Sequence, residues 1–166
     1  MTDVLVLTAF STLTLILALI AGVFLAFSDF IMRSLRAAHV PAGIEAMQEI
    51  NREVISSAFV FSLIAMVPLT ALSALFAATT LDGTSQTLIL AGSASYVFGT
   101  FGVTILGNVP MNNRLDKMSL NSPDISAYWR IYARDWTRWN HLRTGAAILS
   151  AGLYMMATIL LVGQGS

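Results

Sequence analysis

One stretch of this sequence gathers side chains able to hold and polarise a small molecule. Trp129, Tyr132, Trp136, Asn140 and Arg143 fall within an arc of about 80° when laid on a helix at about 100° per residue. Further polar groups stand near the ends of the neighbouring apolar segments: Asp29, Gln48, Asn51, Asn108 and Asn112. Amides, a carboxylate and a guanidinium are costly where water is scarce, so such a layer is hydrogen-bonded within itself or arranged around a ligand. The residues alone leave both readings open. An aromatic belt with ordinary interfacial amides is the plainer version of the first. Against it, all three tryptophans lie on one side of the apolar segments, whereas a belt marks both interfaces. His141 sits about 100° around the helix from Asn140, on a face of arginines, where a solvated side chain is its simplest role. His39 falls in a loop and receives no role.

Other chemistries lack their residues. The chain has no cysteine, which removes disulfides, thiolate chemistry, iron–sulfur clusters and Cys-type zinc sites together. Its two histidines, His39 and His141, have no ligand spacing, so no metal site is expected. No Gly-rich phosphate loop follows a strand, and no motif supports a Ser–His–Asp arrangement. Transport is poorly served by one intramembrane carboxylate and no inverted repeat. A net charge of zero gives no electrostatic case for nucleic acid.

The elements that must position the polar layer follow from composition. Hydrophobic residues make up 56% of the chain and charged ones 11%, against about 25% charged in an ordinary soluble domain. A soluble bundle of this size could not cover its outer surface, so the solvent is lipid. Apolar cores at residues 4–27, 58–78, 87–107 and 144–162 are each close to the roughly 20 residues that cross a hydrocarbon core. With their flanks they give spans of approximately 4–32, 54–78, 87–109 and 140–162. The fold class is therefore all-α: a four-transmembrane-helix bundle, a single membrane domain over residues 1–166. The first span reads as a retained helix, because only Thr2 and Asp3 follow Met1 and a signal peptide needs a basic start and a shorter apolar stretch.

The cytoplasmic segments are expected to be helical. After Pro41 and Gly43, residues 44–54 contain no breaker and read as running straight into span two. Ser122-Pro123-Asp124 has the order of a helix start, and an unbroken pattern follows it into span four. Helices two and four should thus extend into the cytoplasm. Glu45, Glu49 and Glu53 repeat every four residues on one projection, and Arg130, Arg134 and Arg138 do so on the other. They would pair between helices, or the arginines would meet anionic headgroups or a partner protein. Small residues mark close helix contacts: Ala18, Gly22 and Ala26; Gly92, Ser95, Gly99 and Gly102; Ala146 and Ser150.

The strings Gly107-Asn108-Val109-Pro110-Met111-Asn112 and Trp136-x-x-Trp139-Asn140-His141-x-Arg143-Thr144, with residues 22–32 and Met47-Gln48-x-x-Asn51, resemble the anthrone-oxygenase-like family. That family comprises small four-helix integral membrane proteins, and most of its members have no known function. The likeness runs through nearly the whole chain in the same order. Characterised members oxidise polyketide anthrones to anthraquinones with O₂, and no established metal or flavin goes with them. The resemblance thus implies an oxygenase needing no cofactor and acting on a flat apolar phenolic, anthrone- or quinone-like molecule. On that reading Asn112, Asn140, His141, Arg143 and Asp29 are the candidate catalytic residues, with Asp29 or His141 as base and the amides and guanidinium as oxyanion donors. Gln48, Asn51, Asn108, Trp129, Tyr132 and Trp136 are the candidate substrate-binding residues. The competing hypothesis is a non-catalytic accessory subunit that binds lipid or quinone, or stabilises a larger membrane complex. An enzyme should keep its polar layer hollow, whereas an accessory protein should fill it with its own side chains. Expected partners are membrane lipid, an aromatic or quinone-like small molecule, and further copies or subunits of a membrane complex.

All nine cations lie in two segments: Arg33, Arg36 and Arg52 between spans one and two, the other six between spans three and four. The positive-inside rule makes that side cytoplasmic. The expected location is a bacterial inner membrane, multi-pass, with both termini periplasmic. A phosphatase fused to either terminus should therefore be active and a fluorescent reporter dark. The reverse result at both ends would invert the orientation.

Overall fold

A computed structural model describes residues 4–165. The non-basic start at Thr2 and Asp3 lies outside the described residues. Those described form five helices and no strand: α1 (Val4–Ala37), α2 (Val40–Glu53), α3 (Ala58–Thr80), α4 (Gly83–Asp116) and α5 (Ile125–Gly165). Four of them, all but α2, are long and apolar enough to cross a membrane.

The four long helices pack in a ring. α5 lies between α1 and α4, and α3 closes the other side between the same two; the diagonal pairs bring no Cα atoms within 8 Å, and only side chains such as Ser73 of α3 and Tyr154 of α5 meet across the middle. The turns dictate this order. Leu81 and Asp82 are the whole connection between α3 and α4, which forces antiparallel neighbours. Gly83 takes φ +64° there, a left-handed conformation that glycine adopts without the clash of a Cβ.

The exterior confirms lipid as solvent. Leu15, Leu19, Phe61, Leu72, Phe98, Leu106 and Ile159 point outward, while Thr70, Ser93, Thr100, Asn108, Asn140 and Ser150 are buried. In water this distribution would be inverted. Two apolar cores form. The larger lies among the four spans, with Leu17, Phe24, Met66, Tyr96 and Tyr154. The smaller lies at the cation-bearing end, where α2 and the start of α5 enclose Met32, Met47, Leu115, Trp129 and Tyr132.

Four local expectations change. The α5 projection is continuous, but the one before span two is not. α2 ends at a 3-10 turn over Val54–Ser56, and Ser57 is extended, its side chain accepting from the Val60 N–H at 3.3 Å as an N-cap. The hydroxyl caps a new helix, which lets α2 tilt independently of α3. Pro41 does not delay α2 either, because it occupies the first turn, where no N–H is needed.

The two charged stripes also stay apart among the described residues. Arg134 and Arg138 pair with Asp135, and Arg52 pairs with Glu49 and Asp116. α2 buries Gly43, Ile44, Met47, Gln48 and Asn51, and α5 buries its aromatics, so each stripe keeps to water, where its charges stay hydrated. The bond to Arg52 holds the Glu49 carboxyl below the usual carboxylate range and the guanidinium above its own.

The small-residue stripe of α1 faces lipid: a Cβ on Gly22 would meet nothing, because the large residues Leu13, Leu17, Ile20 and Phe24 occupy the buried face. The stripes of α4 and α5 do meet. Ser95 Oγ donates to the Ala146 carbonyl at 2.9 Å, and Ser150 Oγ to that of Gly92 at 2.8 Å.

A Cβ on Gly99 would sit 2.6 Å from Ala146 Cβ, and neither group can swing aside. Gly99→Leu must push α4 from α5, at an overpacking cost of about 1–3 kcal/mol. Its thermal unfolding temperature in detergent should fall, while Gly22→Leu should leave it unchanged. Equal effects would reassign the interface.

Candidate functional site

At the junction of the two cores the helices change geometry. π-helical turns occupy Phe27–Ile31 in α1, and Ser95–Gly102 and Thr104–Asn108 in α4. The last has an identifiable cause: Pro110 has no N–H to donate to the carbonyl of Leu106, so the turn before it opens. Wide turns of this kind recur at functional sites because they re-aim side chains within a helix.

These turns border a cavity of about 290 Å³, close to the lower end of small-molecule sites, about 300–1,000 Å³. Its aromatic walls are Phe24 and Phe27 from α1, Phe59 from α3, Phe101 from α4 and Trp136 from α5. Asn51, Thr104, Asn108, Asn112 and Arg143 supply the polar groups. Part of the polar layer expected from the sequence therefore borders a hollow.

Arg143 dominates its electrostatics. The side chain is buried, with no ion pair to any carboxylate among the described residues. Its Nε donates to Asn140 Oδ1 at 2.8 Å and its NH1 to Thr104 Oγ1 at 3.4 Å. The guanidinium lies 4.0 Å from the ring centre of Phe24 and 5.1 Å from that of Trp136, so aromatic faces replace part of its hydration. Asn140 holds this arrangement from behind. Its Nδ2 donates to the Phe24 carbonyl at 2.7 Å and to Ser28 Oγ at 2.6 Å, which locks α5 to α1.

The other amides divide into satisfied and unsatisfied. Asn112 Oδ1 accepts from Tyr132 Oη at 2.8 Å and Trp136 Nε1 at 2.7 Å. Asn108 Nδ2 donates to the Trp136 carbonyl at 3.1 Å, but its Oδ1 has no partner. Asn51 Nδ2 makes no well-formed hydrogen bond either, although it interacts with the Tyr132 hydroxyl. Both residues line the cavity, but these two atoms are themselves shut off from its open space.

The expected site residues therefore separate. Asn51, Asn108, Asn112, Trp136 and Arg143 line the cavity. Asn140 and Tyr132 stand behind it and fix Arg143 and Asn112. Gln48 donates to the carbonyls of Leu115 and Met118 at 2.8 and 2.9 Å, tying α2 to the end of α4, and is not on the cavity wall. Trp129 stacks on Tyr132, which stacks on Trp136, with ring centres 5.7 and 6.1 Å apart. This ladder is the smaller core, so of the three only Trp136 reaches the cavity.

The two candidate bases are not in the layer. Asp29 is 68% exposed and paired with Arg33, because it continues the outward-facing stripe of Gly22, seven residues earlier on α1. His141 is exposed, as its position 100° from Asn140 required. Reading the sequence missed Thr104, Phe24, Phe27, Phe59 and Phe101. Thr104 was visible only as a hydroxyl inside an apolar run, and the phenylalanines resemble every other apolar residue of their spans. Among the described residues no group of three His, Cys, Asp or Glu side chains could hold a metal ion.

The comparison with protein families matches the anthrone oxygenase model over residues 52–153. That stretch holds Asn108, Asn112, Trp136, Asn140 and Arg143, while α1 and most of α2 precede it. No curated protein and no solved structure matches the chain.

Asn112→Ala would strand the Tyr132 hydroxyl and the Trp136 indole N–H together, each about 1–3 kcal/mol when buried without a partner. The variant should unfold at lower temperature, and Tyr132→Phe in the same background should recover part of the loss. No recovery would mean that the two bonds are not coupled through Asn112.

Proposed function

The chain belongs to the anthrone oxygenase family, and on that premise we propose that it is a membrane-embedded oxygenase acting on a flat, apolar, phenolic or anthrone-like molecule. The single observation that carries this reading is Arg143: a buried guanidinium without a carboxylate partner, on the wall of an aromatic cavity. A buried cation of this kind is complementary to negative charge that appears only when a substrate is bound. An accessory subunit would fill the layer with its own side chains, and the cavity is what that reading leaves unexplained.

The chemistry asks little more of the protein. An anthrone bears a CH₂ group acidified by its ring carbonyl. Loss of one proton leaves an enolate whose oxygen lies against the Arg143 guanidinium. The enolate gives one electron to O₂, and the resulting carbon radical and superoxide combine to form a C–O bond. Protonation gives a hydroperoxide. Loss of water from it, with the second hydrogen of the former CH₂, leaves the new C=O. The sum is anthrone plus O₂ to anthraquinone plus water, which balances with no further electron source.

With Asp29 and His141 outside the cavity, the one acidic residue on its wall is Asp116, ion-paired with Arg52 at 2.7 Å. The departing proton therefore leaves toward that rim. Arg143 promotes its departure by stabilising the anion, and the aromatic walls keep the ring plane beside the charge.

Removing one donor to a developing oxyanion typically costs about 10²–10³ in rate. Arg143→Ala should lose that much anthraquinone formation, followed by absorbance in detergent or nanodiscs, while Arg143→Lys should keep part of it. Arg138→Ala, whose side chain is exposed, should oxidise anthrone as the parent does. Equal loss in the alanine variants, or none in either, would remove Arg143 from the reaction.

A further inference from the structure

The cavity has two rims of opposite character. One is polar, where Arg52 pairs with Asp116 and the exposed Asn113 joins the wall. The other is apolar. Ile55, Ile64 and Ile105 line the cavity, yet they are 72%, 56% and 46% exposed. A side chain lies on both an internal wall and the outer surface only at an opening.

Helix geometry accounts for that opening. α3 packs on α4 along the first part of α4, through Gly102, but no α3 residue has its Cα within 8 Å of Thr104–Asn108. The two helices diverge where α4 widens into its π-turn. Pro68 interrupts the hydrogen bonding of α3, and Pro110 lies just beyond the π-turn in α4; kinks and bends gather at such sites. The gap lies at the depth of Arg143, between surfaces that otherwise face lipid.

We propose that the substrate reaches the cavity sideways from the bilayer, through the gap between α3 and α4, and that it belongs to the class of neutral aromatics dissolved in lipid. An anion or sulfonate would have to shed its water to pass the isoleucine rim, whereas a neutral phenol or ketone passes with little loss. Such a molecule becomes ionised only after it meets Arg143. The polar rim is spanned by the Arg52–Asp116 ion pair and serves protons and water. O₂, being apolar, shares the lateral route. The substrate's chemical identity rests on the oxygenase reading; the route rests on the rims alone.

The chain has no cysteine, so a single engineered thiol reports the route. Thr104→Cys places it on the cavity wall, where the native hydroxyl is 3.4 Å from Arg143 NH1 and a nearby cation favours the reactive thiolate. In nanodiscs it is labelled with N-ethylmaleimide, neutral and lipid-permeant, or with sulfonatoethyl methanethiosulfonate, charged and confined to water. Rates are normalised to an exposed Arg138→Cys control. The maleimide should react readily and the sulfonate slowly. Adding Ile64→Trp or Ile105→Trp should slow the maleimide about ten-fold and leave the control unchanged. Both positions face lipid, so neither substitution burdens the fold. Sulfonate labelling as fast as maleimide labelling would overturn the proposal by opening the aqueous rim. So would an unchanged maleimide rate in both tryptophan variants, or slowing by Val23→Trp alone, which would move the opening to the α1 side. Labelling is read without turnover. A failed anthrone assay therefore leaves the route standing, and a failed labelling pattern leaves the oxygenase reading standing.

Discussion

A positive charge buried among membrane-spanning helices, without a carboxylate to balance it, constrains everything around it. Burying arginine among membrane-spanning helices is costly, up to about 2.5–3.5 kcal/mol at the centre of a span on insertion scales. The protein offsets this with the Asn140 amide, the Thr104 hydroxyl and the faces of Phe24 and Trp136. None of these carries opposite charge. The guanidinium is therefore held in place but not neutralised, a state suited to a ligand that brings its own negative charge. Asn140 is the pivot: one amide orients the cation through its oxygen and ties α5 to α1 through its nitrogen.

The hollow exists because two cores meet there without fusing. The larger obeys membrane rules, with small residues allowing α4 and α5 to touch and hydroxyls bonding to carbonyls of the adjacent helix. The smaller follows the rules of a soluble domain: an amphipathic α2 and the projecting part of α5 bury an aromatic ladder away from water. Between the two cores α4 takes up the mismatch with its π-turns, and α2 stops short of α3 at the Ser57 cap. The cavity occupies the resulting seam, which is why its lining draws on both cores.

The satisfied and unsatisfied amides show how work is divided across the seam. Asn112 through its oxygen and Gln48 through its nitrogen hold α4 against α5 and α2, and they stiffen the walls. Asn108 bonds through its nitrogen alone, and Asn51 leans on the Tyr132 hydroxyl, so the wall they form is held less tightly.

What the sequence determined by itself was whatever depends on local periodicity and on the choice of solvent. Low charge and four apolar runs require four spanning helices. The 3.6-residue repeat placed Trp136, Asn140 and Arg143 on one face and His141 off it, as the structure has them. The motif strings led to the family. Tertiary structure alone decided which members of the polar layer face empty space. Asp29 and Asn51 looked equivalent as polar residues near span ends, yet the outward face of α1 carries one to solvent and the packing of α2 brings the other to the cavity. Trp129 and Trp136 share a helix face, yet only the second reaches past the ladder. The gap between α3 and α4 was equally hidden. It depends on how far two helices diverge after their shared turn, a distance set by wide turns and by the packing of all four neighbours.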